Sequence, residues 1–179
     1  MRPIMRPILA LSVLLIALGA APTLAAGRCT GFKWDVSKEL ALFDGPSVAL
    51  SAGKKESPAP SLRVDRFYQL QLLPQASVTF AARPGRSSAL DGAYAGVAEL
   101  KLHAPGNYRV AVDAPLWIDV VVNGKLATAT DFQGQQNCDG PHKIVEFDLT
   151  GGNQFILQIS GSAKAAVRLT VTQTPPRKL

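Results

Sequence analysis

Short runs in which apolar and polar residues alternate follow one another along the chain from residue 66 onward. There are eight such runs: RFYQLQLL, SVTFAA, GVAELKLHA, YRVAVDA, LWIDVVV, KIVEFDL, QFILQIS and AVRLTVTQ. A period of two puts alternate side chains on one face of a β-strand, so each run predicts a strand with one buried face. Turn residues separate the runs, and no long helical pattern lies between them. The chain is therefore predicted to be all-β, an antiparallel sandwich of Greek-key or jelly-roll-like topology.

Two local signals add detail to this prediction. In WDVSKELALF, Asp35 can cap a helix and Val36, Leu40 and Phe43 recur at helical spacing, which predicts a short N-terminal helical segment. In VVVNGKLAT, Asn123-Gly124 suits the left-handed positions of a tight primed turn, which predicts a hairpin. The stretch SVALSAGKKESPAPS begins like a short strand and continues as an internal, proline-rich loop.

The first 26 residues have the plan of a secretory signal peptide. Arg2 and Arg6 precede an apolar run, which ends in small residues before a cleavage-like site after Ala26. No later segment is long and apolar enough to cross a bilayer. The sequence thus predicts a signal peptide over residues 1–26 and a single β-sandwich domain over residues 27–179. The mature protein is expected in the periplasm or outside the cell, with no membrane span.

The two cysteines, Cys29 and Cys138, both remain in the predicted mature chain. An exported chain with two cysteines and no CxxC spacing most simply forms one structural disulfide. The competing interpretation is a catalytic Cys138 thiol with His142 as its base, but no other part of a cysteine-hydrolase signature is present. A Cys29–Cys138 disulfide is therefore predicted.

The charge distribution bears on possible partners. The chain has 19 basic and 13 acidic residues and a net charge of +6, which falls to about +4 once Arg2 and Arg6 are removed with the signal peptide. The charges are scattered and form no basic stripe of the kind that nucleic-acid binding requires. Nucleic-acid binding is therefore not expected. The net positive charge is compatible with a weak attraction to anionic envelope surfaces.

Residues 94–173 resemble a known class of accessory domain. GVAELKLHAPGNYRVAVDAPLWIDVVVNG followed by KIVEFDLTGGNQFILQISGSAKAAVRLTV is similar to the prepeptidase C-terminal-type β-sandwich domains of secreted bacterial peptidases. The resemblance implies an accessory module that acts in secretion or binds glycans and proteins. It brings no catalytic residues and no cofactor to this chain.

The whole chain from FKWDVSKELALF onward also resembles small exported proteobacterial proteins of uncharacterised role, some of which carry the label homogentisate 1,2-dioxygenase. That activity needs two histidines and one carboxylate on a non-haem iron. The chain has two histidines in all, His103 and His142. With Asp139 they are the candidate metal ligands. Glu99 lies on the same strand face as His103 but about 13 Å away, too far to share a metal with it directly.

Trp117 and Asp119 are the candidate ligand-binding residues, because β-sandwiches commonly bind glycans on exposed aromatic side chains. The alternation in PLWIDVVVN places both on one strand face, opposite Leu116 and Ile118. A three-residue connection over residues 113–115 leaves Trp117 outward, whereas a two-residue connection turns it inward. Both registers remain open, and a buried or edge-covering Trp117 is the ordinary structural alternative.

Three strand carboxylates, Asp119, Glu146 and Asp148, are expected to do no more than solvate an outer sheet face. The sequence therefore predicts an exported, non-enzymatic binding or envelope-associated protein whose ligand is a glycan or another protein. The alternative from a different class is a small iron-dependent dioxygenase.

Overall fold

The structure is a computed structural model that describes residues 29, 31–86, 92–135 and 138–174. The predicted signal peptide, residues 1–26, lies outside the described residues. No helix in the described part of the chain is long and apolar enough to cross a membrane.

One short helix and twelve strands make up the described fold. The helix is α1 (Ser37–Phe43), and a 3-10 turn follows β4 at Gln75–Ser77. The strands are β1 (Val48–Ser51), β2 (Ser61–Arg63), β3 (Phe67–Gln71), β4 (Leu73–Pro74), β5 (Tyr94–Lys101), β6 (Gly106–Val112), β7 (Trp117–Val122), β8 (Lys125–Leu126), β9 (Ala129–Gly134), β10 (Lys143–Leu149), β11 (Phe155–Ser162) and β12 (Ala166–Thr174).

The strands form two sheets. Sheet A has the order β1-β3-β12-β6-β10-β9, and sheet B has the order β2-β5-β11-β7-β8, with β4 also paired to β5. Among the described strands, only the pairs β4–β5, β7–β8 and β9–β10 are sequence neighbours within one sheet. The other connections cross between the sheets, as they do in Greek-key and jelly-roll sandwiches. The predicted β-sandwich with a short N-terminal helix is thus confirmed.

The pairing departs from the prediction at two places. β1 pairs with β3 and β2 pairs with β5 in parallel, so both sheets are mixed instead of wholly antiparallel. Both parallel pairs lie at a sheet edge, and crossing between the sheets supplies the long connection that a parallel pair needs. β12 lies in the middle of sheet A, between β3 and β6.

The main core lies between the two sheets. Tyr108 and Phe147 are among its largest fully buried side chains. They sit on adjacent strands and face each other across the β6–β10 pair. Side chains from sheet B, such as Ile118, Val120 and Leu157, meet them from the other side. Alternate positions of β6, β7, β10 and β11 therefore fill one interior, as their alternation predicts.

Helix α1 covers the outer face of sheet A. Val36 and Phe43 pack with Phe67, Ala111 and Ile144 in a second apolar cluster. The helix follows the predicted spacing, and the Asp35 carboxylate accepts a 3.0 Å hydrogen bond from the Ser37 backbone N–H at its start. Burial of this apolar stripe holds the short helix in place, because a helix of seven residues is not stable by itself.

Residues 78–86, here called the covering segment, lie across the outer face of sheet B. Val78 and Phe80 pack with a third apolar cluster of that face, Val97, Val121 and Ile156. The predicted strand SVTFAA is therefore wrong: residues 78–82 form no strand. Its alternating apolar side chains are partly buried because the segment rests on a sheet, not because it pairs within one.

The β7–β8 hairpin is confirmed. Val122 pairs with Lys125, and the two residues between them, Asn123 and Gly124, have φ angles of 49° and 78°. Both lie in the left-handed region that a type I′ turn requires, which asparagine and glycine tolerate best. The turn projects from the edge of sheet B.

The predicted disulfide is also confirmed. Cys29 and Cys138 are bonded, with their Cα atoms 5.1 Å apart and a sequence separation of 109. The bond ties the first described residue to the loop before β10. It therefore fixes the segment that leads into Trp34 and α1 against the body of the sandwich.

Candidate functional site

An open cleft of about 440 Å³ lies at the N-terminal end of α1, against the outer face of sheet A. It is here called the α1 cleft. Polar side chains and one indole line it: Trp34, Asp35, Ser37, Lys38, Glu39, Arg109, Glu146, Gln173 and Thr174. The lining comes from the N-terminal segment and from three neighbouring strands of sheet A, β6, β10 and β12.

Strand register assembles the floor of the α1 cleft. Arg109 on β6 is paired with Glu146 on β10 and with Thr172 on β12. Directly paired residues point to the same face of a sheet, so these three side chains lie side by side beneath the helix. Helix α1 then places Glu39 over them, where the Thr172 hydroxyl donates a 2.6 Å hydrogen bond to Glu39 Oε1.

Arg109 is the centre of the floor. Its Nε donates to Glu146 Oε2 at 3.0 Å, and its Nη1 donates to the Asp35 carbonyl at 2.8 Å. Nη1 also lies 3.8 Å from Glu39 Oε1. The guanidinium carbon lies 4.5 Å from the centre of the Trp34 ring, within the range of a cation–π interaction. These contacts hold the indole and the helix start in one orientation.

Two carboxylates of the floor are almost completely buried. Glu39 and Glu146 are each 2% exposed, and a buried charge must be paired. Arg109 lies between them, and Thr130 Oγ1 lies 3.4 Å from Glu146 Oε1. The expectation that the strand carboxylates only solvate a sheet face is wrong for Glu146, because α1 covers that face. It is also wrong for Asp119, whereas Asp148 is exposed.

The rim of the α1 cleft remains accessible. Trp34, Gln173 and Thr174 are partly exposed, and Ser37 and Lys38 are exposed. Hydrogen bonds from the Ser37 side chain and then from its backbone lower the pKa of the exposed Asp35 carboxyl. The cleft thus offers a partly exposed indole together with hydrogen-bond donors and acceptors whose positions are fixed from below.

The residue patterns of the sequence did not predict this site. Trp34 lies next to the helical segment and Arg109 lies within an apolar run, but neither pattern says that β6, β10 and β12 are neighbours. The one available signal was the apolar stripe of α1, which requires a sheet face to cover and so predicts that some outward strand residues are buried.

The predicted sugar-binding pair lies on the outer face of sheet B. Leu116 and Ile118 face the main core, so Trp117 and Asp119 point to the other side of β7. Trp117 is partly exposed, but Asp119 is only 7% exposed because the covering segment lies over it. The carboxylate therefore does not face solvent as a sugar acceptor would.

The two oxygens of Asp119 are bonded within the protein. Trp117 Nε1 donates to Oδ1 at 2.9 Å, and the Gly85 N–H donates to Oδ2 at 3.1 Å. Gln158 Nε2 lies 3.4 Å from Oδ2. A β-carbon at Gly85 would lie 3.0 Å from Asp119 Oδ1 and 3.3 Å from Trp117 Nε1, so glycine allows this close approach. Asp119 thus fastens the covering segment to sheet B.

Two cations lie near the same indole. Lys143 Nζ is 4.9 Å and Arg86 Cζ is 6.0 Å from the centre of the Trp117 ring. The Lys143 ammonium donates to the Leu116 carbonyl at 3.2 Å. Burial and then the positive charge of Arg86 lower the pKa of Lys143, while the Asp119 carboxylate acts in the opposite direction.

Lys143 is therefore expected to titrate below the ordinary lysine value of 10.5. Because the pKa of Lys143 is lower in the folded state than in the unfolded state, the unfolded chain binds more protons at pH values between the two. The contribution of Lys143 to the free energy of unfolding therefore rises with pH through this range. Replacing Asp119 with asparagine should lower the pKa further, since it removes the charge that favours the ammonium. Side-chain NMR of Lys143 against pH measures both effects. A pKa at or above 10.5, or one that rises in the Asp119→Asn variant, would contradict the assignment.

The candidate metal ligands are not brought together. The backbone N–H of His142 donates a hydrogen bond to the Val112 carbonyl, at the C-terminal end of β6. His103 lies three residues before Gly106, at the N-terminal end of the same strand. A strand of this length spans about 20 Å. Asp139 is exposed, and its backbone carbonyl accepts a bond from Arg168. The described residues contain no group of three or more His, Cys, Asp or Glu side chains that could hold a metal ion.

Comparisons with known proteins give little further information. No protein-family model matches the chain, and no curated protein matches it. Part of the chain is similar to a β-glucosidase from Kluyveromyces marxianus solved in complex with glucose, with a TM-score of 0.32 and 9% identity. The similarity covers 52% of this chain and 12% of that one, and at this level it carries no argument about fold or function. The resemblance to prepeptidase C-terminal-type domains, like the dioxygenase label, stays a prediction.

Proposed function

We propose that the protein is an exported, non-enzymatic binding protein and that the α1 cleft binds a glycan. The observation that carries this proposal is the combination, in one open cleft, of the partly exposed Trp34 indole and a polar floor held rigid by Arg109. Export is supported by the signal-peptide pattern of residues 1–26 and by the Cys29–Cys138 disulfide.

The shape of the α1 cleft suits a small polar ligand. Its volume of about 440 Å³ falls within the range of small-molecule sites, about 300 to 1,000 Å³. A sugar presents C–H groups on its ring faces and hydroxyls around its edge, so it needs an apolar plane beside several donors and acceptors. Trp34 supplies the plane, and Ser37, Gln173 and Thr174 supply uncharged polar groups on the rim.

Preorganisation favours binding at this place. The side chain of Arg109 is only 14% exposed and is bonded on several sides, so it orders Trp34 and the helix start before any ligand arrives. A site that is already ordered loses little conformational entropy on binding. The two buried carboxylates are engaged with Arg109 and serve the same purpose, because they hold that guanidinium in position.

The proposal is tested by replacing Trp34 with alanine and measuring the affinity for neutral oligosaccharides by titration calorimetry. Suitable probes are cellotetraose, maltotetraose and chitotetraose. We expect at least one probe to bind the wild-type protein and the Trp34→Ala variant to bind it at least about tenfold more weakly, since truncating an aromatic anchor commonly costs more than about 1.4 kcal/mol.

Phe132 provides the matched control. It is an aromatic residue on β9, 68% exposed and outside the α1 cleft, so Phe132→Ala should leave the affinity unchanged. Thermal unfolding of both variants separates lost binding from lost folding. Equal affinities for the wild type and a folded Trp34→Ala variant, or no binding of any probe by the wild type, would overturn the proposal.

A further inference from the structure

The surroundings of Trp117 have an excess of positive charge. Lys143 and Arg86 both approach its ring, and the nearest carboxylate is that of Asp119. The salt bridges found among the described residues involve neither Lys143 nor Arg86. Two cations therefore face one carboxylate, and neither cation is directly paired with it.

Asp119 cannot easily become that partner. Its oxygens accept hydrogen bonds from the Trp117 indole, from the backbone of Gly85 and, at a longer distance, from Gln158. Turning the carboxylate toward Lys143 would break bonds that hold the covering segment, and it would take the acceptor away from the partly buried indole N–H of Trp117. Among the described groups around Trp117, the two cations thus exceed the single carboxylate by one positive charge.

We propose that Lys143 and Arg86 form a binding site for an oxyanion, a carboxylate, sulfate or phosphate group, beside Trp117. Trp117 lies on the outer face of sheet B, and Lys143 approaches it from the start of β10 in sheet A, whereas the α1 cleft lies on the outer face of sheet A. The oxyanion site is therefore a second site, and it does not depend on the function proposed for the cleft.

Each of the two cations has a role suited to an oxyanion. Lys143 is partly buried and held by the Leu116 carbonyl, so it presents a fixed point charge that has already lost part of its hydration. Arg86 is exposed, and its planar guanidinium can donate two parallel hydrogen bonds to one oxyanion. The indole beside them excludes water from one side of the bound group.

An oxyanion of this kind has two sources. It can be a free inorganic anion, or it can be the acidic group of a uronate-containing or sulfated polysaccharide of the envelope. Titration calorimetry with inorganic phosphate, inorganic sulfate, tetragalacturonate and a sulfated tetrasaccharide separates them. Tighter binding of a tetrasaccharide than of both inorganic ions assigns the site to acidic glycans, and equal or weaker binding assigns it to a free anion.

The decisive comparison is between two charge-matched double variants. Arg86→Gln with Lys143→Gln should weaken anion binding at least tenfold, because both charged donors are lost. Lys54→Gln with Lys55→Gln removes the same net charge from an exposed pair elsewhere and should change the affinity less than threefold. Fluorescence of Trp117 in a Trp34→Phe background should respond to the anion, which reports on the site itself.

Thermal unfolding of the Arg86→Gln/Lys143→Gln variant checks that it is folded. If both double variants lose affinity equally, binding reflects net charge alone and the proposal fails. It also fails if the wild type binds none of the four anions, or if the Trp117 emission does not change when they bind. A loss of anion binding with neutral-glycan binding intact would support the second site independently of the α1 cleft.

Discussion

Replacing Cys29 and Cys138 together with serine is expected to lower the free energy of unfolding by about 4 to 5 kcal/mol. The disulfide closes a loop whose two cysteines are 109 residues apart in sequence. In the chain-entropy model, closing a loop of this length lowers the entropy of the unfolded chain and stabilises the fold by about 4 to 5 kcal/mol. For a domain of this length the melting temperature should fall by about 10 to 20 °C. Chemical denaturation with a cooperative, reversible transition measures the change directly.

Reduction of the wild-type protein is the control for this variant. Reduced wild type and the Cys29→Ser/Cys138→Ser variant should have the same stability, because both lack the same crosslink. The double variant should also bind any ligand of the α1 cleft more weakly, because the segment from Cys29 to Trp34 loses its tether. An unchanged melting temperature would show that the segment is held by its other contacts alone.

Replacing Arg109 with alanine is expected to destabilise the fold by about 3 to 5 kcal/mol. The guanidinium is the cation that lies between two carboxylates, Glu39 and Glu146, each 2% exposed. Its loss removes the positive charge that stabilises these two buried carboxylates, and it also removes the contact beneath Trp34. Denaturant unfolding at neutral pH measures the loss.

Arg168→Ala is the control for this effect. Arg168 pairs with Asp113 at 2.9 Å, and the two side chains are 41% and 13% exposed, so solvent screens this pair more than the pairs of Arg109 and the expected loss is smaller, about 1 kcal/mol. In the Arg109→Ala background, changing Glu39 and Glu146 to glutamine should recover part of the stability, since the buried negative charges are then gone. If Arg109→Ala and Arg168→Ala lower the free energy of unfolding by the same amount, the charge of Arg109 does not stabilise the buried carboxylates of the floor.

The strands that face the main core could be predicted because apolar side chains recur at every second position on their inner faces. β5, β6, β7, β10, β11 and β12 all coincide with predicted runs. β9 was not predicted. It is an edge strand with mostly exposed side chains, so burial imposes no pattern on its sequence ATDFQG. β2 was missed because a strand of three residues is too short to show a period.

The covering segment shows the limit of the same reasoning. Val78 and Phe80 alternate with polar residues and are partly buried, yet the backbone there pairs with no strand. Alternation reports which side chains are buried and says nothing about which hydrogen bonds the backbone makes. An extended segment resting on a sheet and a strand within a sheet give the same pattern.

The α1 cleft could not be predicted from local patterns at all. Arg109, Glu146 and Thr172 meet only because β6 lies between β10 and β12, and this strand order depends on connections that cross between the sheets. Trp117 is the converse case. Its place on the strand face away from the core was one of the two predicted registers, but the burial of Asp119 was not foreseen because the covering segment was taken for a strand.

The central position of β12 in sheet A has a consequence for when the protein can fold. β12 is the last described strand, yet it joins β3 to β6. Until Ala166–Thr174 has emerged from the ribosome, sheet A can form only as two unconnected parts, β1–β3 and β6–β10–β9. Long-range pairings of this kind close late. The order of synthesis therefore delays the fold: sheet A closes only after residues 166–174 have been made.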